Sequence, residues 1–185
     1  MKICIDPGHG GKDPGAVGPT GVAEAHVVLD VSLYLETLLR DFALETVLTR
    51  RTDVFIELSQ RCHIANNAQA DFFVSIHANS DGPQAIGIET LYKTAEGKAL
   101  AELVQRRLID ATEDVDRGVK KRTDLYVLNA TVMPAILPEI GFISNPETER
   151  ELKTDDYQEL IAQAIRDGIV EFLQISLPTS PPPRD

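Results

Sequence analysis

KICIDPGHGGKDPG (Lys2–Gly15) changes character between its fourth and sixth positions. Ile3-Cys4-Ile5 is an uninterrupted apolar run, as expected of a short strand buried on both faces. Asp6-Pro7-Gly8 ends it, and the glycines that follow describe a turn rather than a continuation. From Glu24 the apolar positions Val27, Val28, Val31, Leu35, Leu38 and Leu39 recur at helical spacing. Strand, glycine-rich loop and helix therefore open the chain.

The same alternation continues. Thr46–Thr49 reads as a second strand, and Leu58, Cys62, Ala65 and Ala68 mark a helix. Phe72–Ile76 reads as a strand, as does Ile86–Tyr92, where Ile86, Ile88 and Thr90 alternate with Gly87, Glu89 and Leu91. Glu96–Ala111 is helical by period, Ala135–Ile140 is another apolar run, and Tyr157–Leu173 is a long amphipathic helix. Strands alternating with helices of this length predict an α/β fold: one domain, a mostly parallel twisted sheet of about six strands, and helices on both faces.

A chain of 185 residues with 43% hydrophobic and 25% charged residues suits one domain with one core. The domain is expected over residues 1–175. Residues 176–185, with Pro178, Pro181, Pro182 and Pro183, read as a stiff tail or linker to a further module. A net charge of −11 argues against nucleic acid as a partner. No apolar run approaches the roughly 18 residues of a membrane span. Met1-Lys2 ahead of Ile3 offers no room for a signal peptide. Cys4 and Cys62 sit in apolar patterns and are expected to be buried free thiols.

In open α/β sheets, ligands bind outside the carboxyl ends of the strands. His9 follows the first strand, and FFVSI runs directly into His77. AILPEI carries Glu139 near its end, and Glu24 starts the helix after the glycine-rich loop. Each has an ordinary structural reading: a turn residue, a half-buried histidine, an acid complementing a helix N-terminus. Glu139 is the hardest to dismiss, because carboxylates are rarely buried without a partner. Together they form a set suited to zinc. His9, Glu24 and His77 would supply two imidazoles and a carboxylate, leaving a position for a water whose pKa falls toward about 7. Glu139 would then be free to move protons. His26 and His63 fall away from the rim and are expected to be structural or surface residues.

With these positions assembled, the chain resembles the zinc-dependent N-acetylmuramoyl-L-alanine amidases, a family that includes sporulation amidases and phage endolysins. The resemblance rests on DPGHGGKDPGAVG, Glu24, LTRRTD, RCHIANNAQADFFVSIHANS, GIETLY, RGVKK, LPEIGFISNPET and IAQAIRDGI, and covers about residues 2–174. It implies one zinc ion per chain on His9, Glu24 and His77, with Glu139 as the catalytic glutamate. It implies peptidoglycan as substrate, action at the bacterial cell wall, and cleavage between N-acetylmuramic acid and the L-alanine of the stem peptide. Oligomeric state stays open. The alternatives are a zinc peptidase acting on stem peptides and an inactive wall-binding domain of the same fold. Asn79, just past His77, is a candidate for facing substrate.

Two departures from the family stand out. Pro138 precedes Glu139, where an aliphatic residue is usual, so this strand is expected at a sheet edge or to be locally irregular. Tyr92 leads almost directly into the next helix, without the long inserted helix that blocks the site in exported division amidases. An open active site is the expectation.

Overall fold

Lys2–Pro7 forms the first strand, β1, whose Ile3, Cys4 and Ile5 are fully buried. The computed structural model describes residues 1–174, so the proline-rich segment 176–185 lies outside the described residues. After β1 come α1 (Glu24–Arg40), β2 (Glu45–Leu48), α2 (Leu58–Asn67), β3 (Phe72–Asn79) and β4 (Ile88–Tyr92). The chain continues through α3 (Ala95–Thr112), β5 (Asp116–Lys121), α4 (Tyr126–Ala130), β6 (Ala135–Phe142), α5 (Pro146–Leu152) and α6 (Asp155–Phe172).

The strands build one sheet in the order β2-β1-β3-β6-β4-β5. The first four neighbours run parallel, β4 runs antiparallel to β6, and β5 runs parallel to β4. The sheet is thus mostly parallel, with one antiparallel seam. Order reverses between β1 and β3, and a crevice opens at such a switch point outside the strand ends.

Alternation along the strands divides the core into two layers. Ile3, Ile5, Val74, Ile76, Ile136 and Ile140 pack under α1, α3 and α6. Cys4, Phe73, Leu91 and Leu137 turn the other way, against Cys62 and Ala65 of α2 and Val127 and Leu128 of α4. Both cysteines are buried and unpaired with one another, and burial pushes the Cys4 thiol up to about 12 and that of Cys62 to about 11. Such thiols carry no reactivity near neutral pH.

Three elements escaped the sequence reading. β5 is too charged to show an apolar run, with only Gly118 and Val119 partly buried. The short α4 and α5 span less than two helical turns each, too short for a period to emerge. The β4 strand also starts at Ile88 rather than Ile86, because Gly87 takes a φ of +107° and Ile86 is left exposed.

Pro138 requires a correction. β6 lies between β3 and β4, in the interior of the sheet and away from either edge. The irregular alternative is the one observed: register between β3 and β6 shifts between His77 and Asn79, directly beside the Pro138-Glu139 step. Proline removes one ladder donor, and burial on both faces retains the strand in place nonetheless.

Helix α6 crosses α3 closely at Gly168, a residue that by propensity costs a helix about 1 kcal/mol. A Cβ there would lie 2.6 Å from Val104 Cα, so glycine is what lets the helices meet. Gly168→Ala should therefore destabilise the fold by about 1–3 kcal/mol despite its better helix propensity. Urea denaturation checks this, and a stabilised variant would contradict the packing account.

Candidate metal centre

The loop after β1 places His9 by adopting backbone conformations that few residues tolerate. His9 itself has φ +57°, followed by Gly10 at +121°, Gly11 at +59° and later Gly15 at +67°. A left-handed histidine is uncommon and must be held. Two buried arginines hold it. Arg61 donates to the carbonyls of Pro7 and His9, each at 2.6 Å, and forms an ion pair with Asp6 at 2.9 Å. Arg50 donates to the carbonyls of Pro7 at 3.0 Å, Gly8 at 2.7 Å and Ala25 at 2.7 Å. Asp6 also accepts from Thr49 at 2.6 Å and Ser75 at 2.7 Å, which satisfies this buried carboxylate fully.

Glu24 starts α1 with its side chain buried. Its carboxylate accepts from the amides of Ala16 and Ala78, both at 2.9 Å. Its Oε1 stands 3.0 Å from His77 Nδ1 and 3.2 Å from His9 Nε2. The two imidazoles meet edge to face, with centroids 4.9 Å apart. His9 Nδ1 is engaged by Asp13 Oδ2 at 2.9 Å, which fixes the ring and leaves Nε2 facing the cluster.

One atom each from His9, Glu24 and His77 lies within 4.8 Å of the others. A tetrahedral ion with bonds of about 2.1 Å separates its ligand atoms by about 3.4 Å, so this donor set fits one divalent cation with small adjustment. The glycines keep the space clear. A Cβ on Gly15 would lie 2.6 Å from Glu24 Oε2 and 2.7 Å from His9 Cδ2, and one on Gly8 would enter the His77 ring. Electrostatics agree. Burial disfavours charge on all three groups, yet mutual pairing wins. The hydrogen bonds from His77 and His9 hold the Glu24 carboxyl well below its usual range, while contact with Glu24 and Asp13 pushes His9 up to about 9. His77 is raised as well, again through Glu24. A site that attracts protons this strongly attracts a cation by the same field.

Glu139 is the ladder partner of His77 across β3 and β6. Its Oε2 is buried without a hydrogen-bond partner, and burial pushes its carboxyl up to about 7. A cleft of about 410 Å³ opens beside His9 and His77, walled by Phe55, Ile56, Tyr126 and Leu137.

The structure thus brings His9, Glu24, His77 and Glu139 to one rim. His26 and His63 are exposed on their helices, His26 facing Asp53 at 3.4 Å. Asn79 keeps its side-chain oxygen on the amide of Ser80, at 2.8 Å. Sequence reasoning missed the parts that Asp13, Arg50 and Arg61 play. Asp13 carried a signal, lying four residues beyond His9. The arginines carried none, since partners 25 to 55 positions away are set only by the fold. Removing Arg61 leaves Asp6 buried and the His9 carbonyl unheld, so Arg61→Ala should cost about 3–5 kcal/mol of stability. A loss below about 1 kcal/mol in chemical denaturation would contradict the clamp.

The sequence model described as N-acetylmuramoyl-L-alanine amidase matches residues 3–171. The chain is 42% identical over 175 residues to the N-acetylmuramoyl-L-alanine amidase LytC of Bacillus subtilis, an alignment covering 92% of this chain and 35% of LytC. It therefore spans about a third of that relative's length. It is 37% identical to the endolysin of Bacillus phage SPP1, over 94% of this chain and 66% of the endolysin. The catalytic domain of CwlV, an N-acetylmuramoyl-L-alanine amidase from Bacillus (Paenibacillus) polymyxa, superposes with a TM-score of 0.90. That match has 42% identity and covers 95% of this chain and 99% of the domain. Fold, rim cluster and sequence agree: this chain belongs to the N-acetylmuramoyl-L-alanine amidase family, whose members are peptidoglycan hydrolases.

Proposed function

We propose that this chain hydrolyses the amide between the lactyl group of N-acetylmuramic acid and the L-alanine that begins the peptidoglycan stem peptide. His9, Glu24 and His77 hold one zinc ion in this reading, and Glu139 is the general base and then the general acid. The observation that carries it is the unpartnered, buried Glu139 Oε2 beside a cluster able to hold a metal. A buried oxygen without a partner costs free energy, and a site tolerates that cost where a substrate or water completes it.

A zinc ion held by His9, Glu24 and His77 would supply Lewis-acid chemistry at the scissile carbonyl. The chain's own residues do the rest. Asp13 keeps His9 in the tautomer that leaves Nε2 free. Glu139, with its carboxyl near about 7, can take a proton from the attacking water and give it to the departing alanine nitrogen. The apolar cleft wall along Phe55, Ile56 and Leu137 limits water around these groups.

Residues 1–175 are read as the catalytic domain, with 176–185 as a linker to a wall-binding module. Action at the bacterial cell wall follows from the substrate, and the similarity extends both to a phage endolysin and to a sporulation-specific amidase. Only Lys93 and Thr94 connect β4 to α3, so no helix is inserted at that point. Among the described residues, no helix is long and apolar enough to cross a membrane.

Digestion of purified peptidoglycan tests the reaction. The expected products are stem peptides with free alanine amino termini and intact glycan strands. Internal stem-peptide amines with the muramoyl–alanine bond intact would identify a peptidase instead, and no hydrolysis would leave a binding domain. Glu139→Ala should retain zinc and lose about 10²–10⁴-fold in turnover, the usual worth of a positioned acid–base group. Substantial turnover in that variant would place the base elsewhere. His77→Ala should lower zinc content measured by elemental analysis, and full occupancy would refute its assignment as a ligand.

A further inference from the structure

Positions Arg117–Arg122 hold Arg117, Lys120, Lys121 and Arg122, a concentration of positive charge in a chain of net charge −11. They do not all face one way. Lys121 is the parallel partner of Tyr92 and turns with it toward α3 and α6, whereas Lys120 partners Leu91 and turns toward the α2 and α4 face. That second face is the one Glu139 shares with Leu137 by strand alternation.

Arg117 Nε and Lys120 Nζ both reach Glu89 Oε2, at 3.0 Å and 2.5 Å. Glu89 is buried and its Oε2 is shared by both cations, so each keeps N–H donors beyond that single oxygen. Arg122 does not add to this pair, because Asp124 binds it through two hydrogen bonds, at 2.8 and 2.6 Å. Arg117 lies 4.8 Å from the centroid of the Phe142 ring, which fixes its direction at the rim. Both side chains keep water-facing surface, 38% for Arg117 and 43% for Lys120, so a ligand can reach them.

Position decides which part of the substrate meets this charge. Glu89 is the antiparallel partner of Glu139, and β5 is the next strand beyond β4. Two strand spacings of about 4.8 Å put β5 roughly 10 Å from β6. An extended peptide covers that distance in about three residues. Glu139 protonates the departing nitrogen, so the acyl half of the substrate lies toward His9 and His77. In that reading the peptide half starts beside Glu139, one strand from Glu89 and two strands from β5.

We propose that Arg117 and Lys120 form a carboxylate subsite for the peptide half of the substrate, receiving a free carboxylate carried two or three residues beyond the scissile nitrogen. The proposal rests on the amidase reading and adds a preference to it: stem peptides with free carboxylates over those whose carboxylates are amidated. Guanidinium and ammonium groups over a shared acid suit this task, since a charge-assisted contact at a partly buried site survives salt better than a fully exposed one.

The test is hydrolysis of two muramoyl peptides of the same length, one with free side-chain and α-carboxylates and one with these amidated. The wild-type protein should favour the free acid by about five-fold or more in kcat/KM, and Lys120→Ala, in which Glu89 keeps Arg117, should bring that ratio close to one through KM. Lys121→Ala, which removes the same charge from the opposite face, should keep the wild-type ratio. Equal kcat/KM for the two substrates in the wild-type protein overturns the subsite and leaves the amidase reading intact, and requires no variant to fold. Loss of the preference in Lys121→Ala as well would reduce the effect to net charge and overturn the subsite. Cleavage of neither substrate overturns both.

Discussion

The carboxylate of Glu24 is buried where β1, β3 and α1 meet, and it gathers four partners there: two backbone amides and two imidazoles. Its side chain ties together the glycine-rich loop, the end of β3 and the start of α1. Held as an anion by those partners, it sets the charge of the rim and so the protonation of His9 and His77. The loop geometry serves the same end. A left-handed His9 is affordable only because Arg50 and Arg61 hold the carbonyls on either side of it, with Asp6 neutralising Arg61.

Charge is distributed across the sheet in an ordered way. Moving from β3 to β5 along the rim, one meets the His–Glu–His cluster, then Glu139, then Glu89 with Arg117 and Lys120. The order places a cluster able to hold a metal ion, a buried carboxylate with an unpartnered oxygen, and a pair of cations sharing one acid on neighbouring strands. Strand topology makes this possible. The antiparallel turn of β4 against β6 brings the first residues of β4 and β5 to the same rim as the last residues of β3 and β6.

Much of this was legible in the sequence because the informative residues interrupt apolar runs. Ile3-Cys4-Ile5 before Asp6, FFVSI before His77 and AIL before Pro138-Glu139 each announce a buried strand and the point where it meets the rim. Glu24 at a helix start was equally readable. What could not be read depended on distant contacts. Nothing local tells that Arg61 reaches His9, that Glu89 collects two cations, or that β4 runs against β6. Of the two placements expected for Pro138, a sheet edge or a local irregularity, the second is observed: proline's lost hydrogen bond is a local cost, while burial of Ile136 and Ile140 against the helices is a larger, non-local gain that keeps β6 inside the sheet. The charged β5 was missed for the complementary reason: it is recruited by its neighbours and shows no apolar pattern of its own.

The most direct test of the metal-centred account is zinc stoichiometry read together with activity on purified peptidoglycan, before chelation, after chelation, and after zinc is restored. The account predicts about one zinc per chain, loss of hydrolysis as the metal is removed, and recovery in proportion to the zinc returned. Hydrolysis that persists in chelated, metal-free protein would contradict it.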